Sequence, residues 1–430
     1  MTTILAVILG GLLVVTLGLS LQHMTRGTPI HGLRCVGGGE EQLHASSPMF
    51  RESFELLTNT RIYETNNVEV AFNGEQTYER LFEDLQRAER LIAFHVFWFK
   101  PGRLADRLAE ILVERAAAGV TVLFLLDYWG SKGTKKEYVE RLRRGGIDVA
   151  IFRPFKWGNL HKVQQRTHMR CVVVDSEVAW TGGFAIDDHW QGDGLQEDQW
   201  RDTNVRIQGP VVDQLLAAFS ANWAEATGDL LTGDDWFQLD KRVEDAGDCR
   251  AGLMFGAPTV GSTNAERFFA LSSAAARDTL YITNAYFLPD HDFRRFLREA
   301  VERGVDVRVL TPGGNTDQKP VWYAGRAHYQ ELIEGGVRLY EYEPTMLHAK
   351  TIVADGRWGY VGTLNYDNRS MSLNDEVALV YWDEGVGGQL REQFMRDLEH
   401  AREITTEAHA ARGLGGRILE QASRVIVRLL

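Results

Sequence analysis

The sequence predicts an α/β protein built from two duplicated lobes, each a mixed sheet flanked by helices, related by a pseudo-twofold axis and preceded by an N-terminal transmembrane helix. Three observations predict it. Strand-like and helix-like segments alternate through most of the 430 residues. A helix–glycine–strand phrase and a histidine-led octet each occur twice, in the same order and at nearly the same shift. Positions 1–25 carry no charged side chain.

Taken in order, Ile4–Leu21 is an unbroken run of apolar and small residues, and a helix of about 20 such residues spans a bilayer's hydrocarbon core. Residues 1–25 therefore read as a membrane anchor. A cleaved signal peptide is the competing reading, against which stand the missing basic n-region and the missing small-residue cleavage site. Arg26 and Arg34 follow the run and lean the body towards the cytoplasm. Residues 26–50, rich in Gly and Ser and without apolar periodicity, read as a linker.

The first lobe spans 51–240. Leu91–Phe99 is a strand candidate, Leu104, Leu108, Ile111 and Leu112 mark one face of a helix that Gly119 closes, and Val120–Leu126 is a buried strand. A helix through Tyr138–Arg144 then leads to Ile147–Phe152. In the second lobe, 241–405, the same grammar returns as a strand at Thr279–Asn284, a helix at Phe293–Glu302 and a strand at Val305–Leu310. The phrase around Gly119 matches that around Gly304, a shift of 304 − 119 = 185, and Gly146 matches Gly336, a shift of 336 − 146 = 190. Residues 406–430 form an amphipathic C-terminal helix, with Ile418, Leu419, Ala422, Val425, Ile426 and Leu429 set against Arg417, Arg424 and Arg428. Such a helix either lies in a lipid interface beside anionic headgroups or docks on the body.

Lys+Arg 47 against Asp+Glu 59 give a formal charge of −12, which disfavours a nucleic-acid partner because phosphate affinity rests on clustered Lys and Arg. Cys35, Cys171 and Cys249 are far apart and odd in number. They indicate buried or inert thiols rather than a disulfide framework or a zinc site.

The sharpest repeat lies in the regions 162–189 and 342–369. His168-Met-Arg170-Cys-Val-Val-Val-Asp175 is matched by His348-Ala-Lys350-Thr-Ile-Val-Ala-Asp355 at a constant shift (348 − 168 = 355 − 175 = 180), and each His leads a glycine, Gly182 or Gly362, by the same step (182 − 168 = 362 − 348 = 14). On a strand, residues i and i+2 share a face, so each imidazole and its cation point to one side. Two histidines and two cations brought together by a twofold axis suit displacement at a phosphodiester. One imidazole attacks phosphorus, the other protonates the leaving alkoxide, and the cations neutralise the non-bridging oxygens, with no metal or cofactor required. Each imidazole then needs a carboxylate on its other nitrogen. Asp202, which follows His168 (202 − 168 = 34), and Glu376, which follows His348 (376 − 348 = 28), are the candidates, with the pairing open.

At these residues the sequence resembles the phospholipase D superfamily and, within it, the bacterial cardiolipin synthase branch. The family's repeated H-x-K-x-x-x-x-D signature followed by a G-G or G-S step is matched twice, with Thr363 for the common Ser in the second copy, and further phrases extend the resemblance over roughly Phe54–Ile404, among them Trp200-Arg-Asp202-Thr-Asn-Val and Gly362-Thr-Leu-Asn365-Tyr-Asp367-Asn-Arg369-Ser370. The resemblance implies a catalytic set of His168, Arg170, Asp175, His348, Lys350 and Asp355. Within it His168 is the nucleophile, His348 the acid–base, Arg170 and Lys350 ligands of the phosphate, and Asp175 and Asp355 structural or outlying members. It further implies Asn365 as a phosphate ligand and Asp202 and Glu376 as orienting carboxylates. Two departures fall in the first lobe. Arg170 replaces the usual Lys, and Ala185 stands where Asn365 has its counterpart (365 − 185 = 180).

The anchor, the acidity and the C-terminal helix favour an anionic phospholipid membrane over nucleic acid as the setting. With the resemblance they imply a phosphatidyltransferase that makes cardiolipin from two phosphatidylglycerol molecules through a phosphohistidine. A phospholipase D releasing phosphatidic acid and a catalytically weakened lipid-binding protein are the alternatives. Trp98, Trp129 and Trp190 either line a lipid pocket or pack the core.

Overall fold

The computed structural model describes residues 10–11, 30–37, 43–155, 164–238, 240, 242–258 and 263–429. The expected anchor lies outside the described residues except for Gly10 and Gly11, and among the described residues no helix is long and apolar enough to cross a membrane.

The strands are β1 Tyr63–Phe72, β2 Leu91–Val96, β3 Thr121–Asp127, β4 Asp148–Phe152, β5 Cys171–Val174, β6 Val178–Gly182, β7 Thr203–Gln208, β8 Cys249–Gly256, β9 Thr279–Asn284, β10 Asp306–Pro312, β11 Arg338–Tyr342, β12 Lys350–Ala354, β13 Trp358–Gly362, β14 Glu376–Trp382 and β15 Ala401–Glu403. They join in one mixed sheet ordered β15-β11-β10-β9-β12-β13-β14-β8-β1-β7-β6-β5-β2-β3-β4. Read outward from the central β1–β8 pair, β7-β6-β5-β2-β3-β4 and β14-β13-β12-β9-β10-β11 have the same order. β2, β3 and β4 run parallel, as do β9, β10 and β11, whereas β5 is antiparallel to β2 and β12 to β9. Each parallel step is made by the helix–glycine–strand phrase read from the sequence. Gly119 and Gly304 both sit in the left-handed region, at φ +95° and +92°, where a helix can turn sharply into β3 or β10 at little steric cost.

Both faces of the sheet are buried, so the central strands are apolar throughout rather than alternating. Cys171 and Val173 of β5 face a core shared by both halves, which also takes Val353, Val361, Val377 and Leu379. Val172 and Val174 face a layer formed by helices Asn73–Gln86 and Arg103–Ala117. The far face of the second half is covered by helices Pro48–Thr58, Asn264–Ala275 and His291–Glu302. Pro48, Met49 and Phe50, read as the end of the linker, begin the first of these helices, because Phe50 and Phe54 bury against Trp358 and Trp382. Cys171 and Cys249 are buried and Cys35 half-buried, all as free thiols.

One expectation needs correction. The octets are not carried wholly on strands, since β5 begins at Cys171 and β12 at Lys350. The histidines stand just ahead, in extended segments whose hydrogen bonds go to the other half of the molecule.

Candidate active site

Those crossing bonds assemble the site. The His168 N–H donates to the carbonyl of Asp375 at 2.8 Å, and the Asp375 N–H to the carbonyl of Arg166 at 2.9 Å. In the same way the His348 N–H donates to the Arg201 carbonyl at 2.7 Å, and the Arg201 N–H to the Met346 carbonyl at 3.0 Å. Each histidine segment is thereby bridged to the opposite lobe at the residue just before a carboxylate. The pairing left open by the sequence is resolved crosswise. His168 Nδ1 lies 3.0 Å from Glu376, and His348 Nδ1 lies 3.1 Å from Asp202. With Nδ1 committed to a carboxylate, Nε2 is the nitrogen each imidazole presents.

The two carboxylates are held by symmetry-related but chemically different neighbours. Glu376 accepts hydrogen bonds from Thr363 Oγ1 and from Ser370 Oγ, the latter at 2.7 Å. Asp202 accepts from the Trp190 indole N–H at 2.8 Å and from the Thr203 N–H at 2.8 Å. Ser370 and Trp190 are related by the same shift as the histidines (370 − 190 = 180), as are Thr363 and Gly183 (363 − 183 = 180). Gly183 has no side chain because a Cβ there would meet Asp202 Oδ1 at 2.1 Å. That these residues support the carboxylates was not read from the sequence, although the register of the histidines marks them.

The cations also occupy related places. Lys350 Nζ lies 2.8 Å from His348 Nε2 and bonds the His348 carbonyl. Arg170 Nη1 donates to the His168 carbonyl at 2.7 Å, while its Nε donates to the Phe184 carbonyl at 3.1 Å. Arg170 thus keeps the carbonyl contact of a lysine and adds a second anchor. Asn365 is buried with its Oδ1 unpartnered. Its counterpart Ala185 is fully buried, with its carbonyl taken by the Tyr78 hydroxyl at 2.5 Å. Aromatic rings wall the histidines. Phe97 stands edge-on to His168 at 5.2 Å, and Trp190, Trp200 and Tyr286 surround His348 at 5.1, 5.6 and 6.2 Å. Of the three tryptophans named from the sequence, Trp190 is buried, Trp98 half-buried and Trp129 exposed.

Asp175 and Asp355 are brought elsewhere. Asp175 accepts the N–H groups of Glu89, Arg90 and Leu91 at 2.7, 2.8 and 2.7 Å, at the start of β2. Asp355 accepts those of Arg277, Asp278 and Thr279 at the start of β9. Each pins the strand beside its histidine strand, at the end remote from the imidazole.

Burial sets the protonation of the site. It pushes the His168 imidazole well below its ordinary value, helped by the charges of Arg170 and Lys350. Burial and Lys350 bring His348 down to about 3, against the opposing hydrogen bond to Asp202. Both are therefore neutral bases at neutral pH. Burial pushes Asp202 up, but the His348 contact, the Lys350 charge and the Trp190 hydrogen bond outweigh it and hold this carboxyl below the usual range. For Glu376 burial prevails over the Thr363 and Ser370 hydrogen bonds and the Arg170 charge, raising it to about 7.

Residues 271–398 match the family model described as "Cardiolipin synthase, PLD-like domain". The cardiolipin synthase of Geobacillus kaustophilus is 34% identical over 363 residues, covering 84% of this chain and 72% of that one. The chain belongs to the cardiolipin synthase family. A second member, cardiolipin synthase 2 of Bacillus anthracis, is 32% identical over 359 residues, covering 83% of this chain and 70% of its own. The crystal structure of phosphatidylserine synthase from Haemophilus influenzae superposes with a TM-score of 0.66 at 12% identity, over 89% of this chain and all of that one, a likeness of fold. At 363 of 430 residues, the match to the Geobacillus enzyme takes in both octets wherever it begins.

Proposed function

We propose that this family member is a membrane-associated phosphatidyltransferase that joins two phosphatidylglycerol molecules into cardiolipin and releases glycerol, with two duplicated lobes sharing one site. The observation that carries the reading is the crossed pair of imidazole–carboxylate contacts beside two buried basic side chains, Arg170 and Lys350. In the first step His168 Nε2 attacks phosphorus, the P–O bond to the headgroup glycerol breaks, and His348 gives that oxygen its proton. The entering phosphodiester anion, beside Lys350, raises the basicity of His348 towards the protonated form this step needs. In the second step the free hydroxyl of another phosphatidylglycerol loses its proton to His348 and attacks phosphorus. The P–N bond breaks and His168 is regenerated. Arg170, Lys350 and Asn365 hold the non-bridging oxygens, and Asn365 has an amide oxygen without a protein partner to lose on turning. Glu376 and Asp202 fix the Nδ1–H tautomers. The apolar run at 4–21 supplies the membrane anchor, with the catalytic body on the cytoplasmic side.

The test is acid-quench trapping with labelled phosphatidylglycerol in vesicles. The unaltered protein should release glycerol, carry a phosphatidyl group on His168 and form cardiolipin. His168→Ala should abolish all three. Phosphatidic acid as the main product would replace transfer by hydrolysis, and product formation by His168→Ala without a trapped adduct would overturn the nucleophile.

A further inference from the structure

The C-terminal helix Leu414–Leu429, over its described side chains 414–423, turns polar residues inward. Against the body it lays Glu420, 2% exposed, and Ser423, 6% exposed. Glu420 is bound by Arg412 Nε at 2.9 Å and lies 3.7 Å from Nε of Arg326, which belongs to the helix Lys319–Arg326 beneath it. The side that water would disfavour faces out. Leu414, Ile418 and Leu419 are 77%, 66% and 47% exposed, with Arg417 exposed among them. An amphipathic helix on a soluble body ordinarily does the reverse.

The other lobe carries a matching feature in the loop 128–136 after β3. Trp129 is 52% exposed, with Lys132 Nζ over its ring at 4.8 Å, and Lys135 and Lys136 are exposed beside it. The loop is fixed in this posture. Asp127 Oδ1 accepts the N–H groups of Trp129 and Gly130 at 2.7 and 3.1 Å, and Thr134 Oγ1 donates to the Phe99 carbonyl at 3.1 Å. The stretch 128–136 holds three lysines and no acid, in a chain of net charge −12.

Both features connect to the residues around the histidines. The other oxygen of Asp127 accepts the N–H of Thr167, next to His168. Tyr286, edge-on to His348, bonds Asp317 at 2.9 Å, just ahead of the helix that supports 414–429. The loop and the supporting helix Lys319–Arg326 follow the carboxyl ends of β3 and β10, the end of the sheet where the histidines stand.

We infer that the exposed face of the C-terminal helix at 414–419 and the Trp129–Lys136 loop together form a docking surface for an anionic lipid bilayer, aiming the histidine end of the sheet at the headgroup layer. Apolar side chains enter the interface, the tryptophan sits at headgroup depth, and the lysines and Arg417 meet anionic lipid. The charge favours this occupant over a second copy of an acidic chain. The purpose of the orientation rests on the transferase reading, but the docking is measured without turnover.

The full chain with Cys35→Ser, whose other two cysteines are buried, receives single nitroxide labels at Ile418→Cys, Lys132→Cys and Ala118→Cys. Ala118 is exposed beside Gly119, at the opposite end of β3. In vesicles of phosphatidylcholine with phosphatidylglycerol, labels at 418 and 132 should be reached by oxygen in preference to a water-soluble nickel chelate, and the label at 118 should not. Equal aqueous access at all three sites overturns the proposal. So does a change of oligomeric state on Ile418→Asp/Leu419→Asp with label 418 still aqueous in vesicles, which would make the face a chain–chain contact. The same double variant should turn over vesicle phosphatidylglycerol about tenfold more slowly, as expected for removing two large aliphatic anchors, and short-chain monomeric phosphatidylglycerol within about twofold of the unaltered chain. An equal loss on both substrates contradicts docking. If the unaltered chain transfers neither substrate, the transferase reading fails while the labels still decide the surface.

Discussion

Gly183→Ala should cripple the enzyme through a single methyl group. The backbone at Gly183 is outside the left-handed region, so alanine is conformationally acceptable and the whole effect is steric. Its Cβ would stand 2.1 Å from Asp202 Oδ1 and 2.6 Å from Oδ2. Ordinary contact begins near 3.4 Å, so the carboxylate must retreat by roughly 1 Å, a shift of the size that disables preorganised sites. Asp202 then leaves His348 Nδ1, now at 3.1 Å, and the Trp190 indole, now at 2.8 Å. Two buried hydrogen bonds to a charged group, at about 1.5–3 kcal/mol each, come to about 3–6 kcal/mol. At about 1.4 kcal/mol per decade that is roughly a 10²–10⁴-fold fall in rate. The related change Thr363→Ala, at the corresponding position of the second lobe, removes one hydroxyl donor to Glu376 and should cost about tenfold. The assay is initial glycerol release from labelled phosphatidylglycerol vesicles, with a thermal melt to establish that each variant folds. A folded Gly183→Ala enzyme within about threefold of the unaltered rate would refute the link from Gly183 through Asp202 to His348.

Glu376, raised by burial to about 7, is protonated below that pH and then no longer accepts the His168 Nδ1–H. The rate should therefore rise with pH through about 7, and Glu376→Gln should lower it and abolish the inflection, as a pH–rate profile would record. Asp202, held below the usual carboxylate range, should add no inflection in the neutral region. Arg170→Lys should retain activity within about threefold, because one ammonium can still reach the His168 carbonyl as Lys350 reaches that of His348, whereas Arg170→Met should lose about a hundredfold or more in steady-state turnover. Asp175→Ala strands three N–H groups and should cost about 2–4 kcal/mol in urea unfolding, with turnover of the folded fraction nearly unchanged. A loss of turnover without loss of stability would restore Asp175 to the chemistry.

What the sequence made legible follows from what repeats. The left-handed glycines, the parallel steps and both histidines were readable because each half writes the same local phrase at nearly constant spacing. Trp190 and Ser370 obey that register too, but one is aromatic and the other small, so the shared duty of donating to a carboxylate is invisible until the carboxylates are placed. The pairing of acid with imidazole was illegible for a different reason. Asp202 stands much closer along the chain to His168 (202 − 168 = 34) than to His348 (348 − 202 = 146), yet it bonds the distant one. Distance along the chain favours the near partner, and only the crossing backbone bridges overrule it. For the C-terminal helix, hydrophobic pattern alone leaves open whether the apolar side meets lipid or docks on the body. Glu420 is held inward by Arg412, close along the chain, and by Arg326, and the second of these partners, distant in sequence, leaves no local mark.

The crossing explains why two lobes are kept. Were each histidine oriented by a carboxylate of its own lobe, half a molecule would hold a complete imidazole–carboxylate unit. Here His168 takes both its backbone bridge and its acid from 375–376, and His348 takes both from 201–202. Neither lobe contains an oriented histidine by itself, so tautomer and position are set only when the halves close on each other. That closure also brings Arg170 and Lys350 within electrostatic reach of both histidines. An acidic chain thereby makes a small basic site out of buried side chains. On the proposed mechanism the departures at Arg170 and Ala185 leave the site a pair of basic side chains and one amide, that of Asn365, for the phosphate.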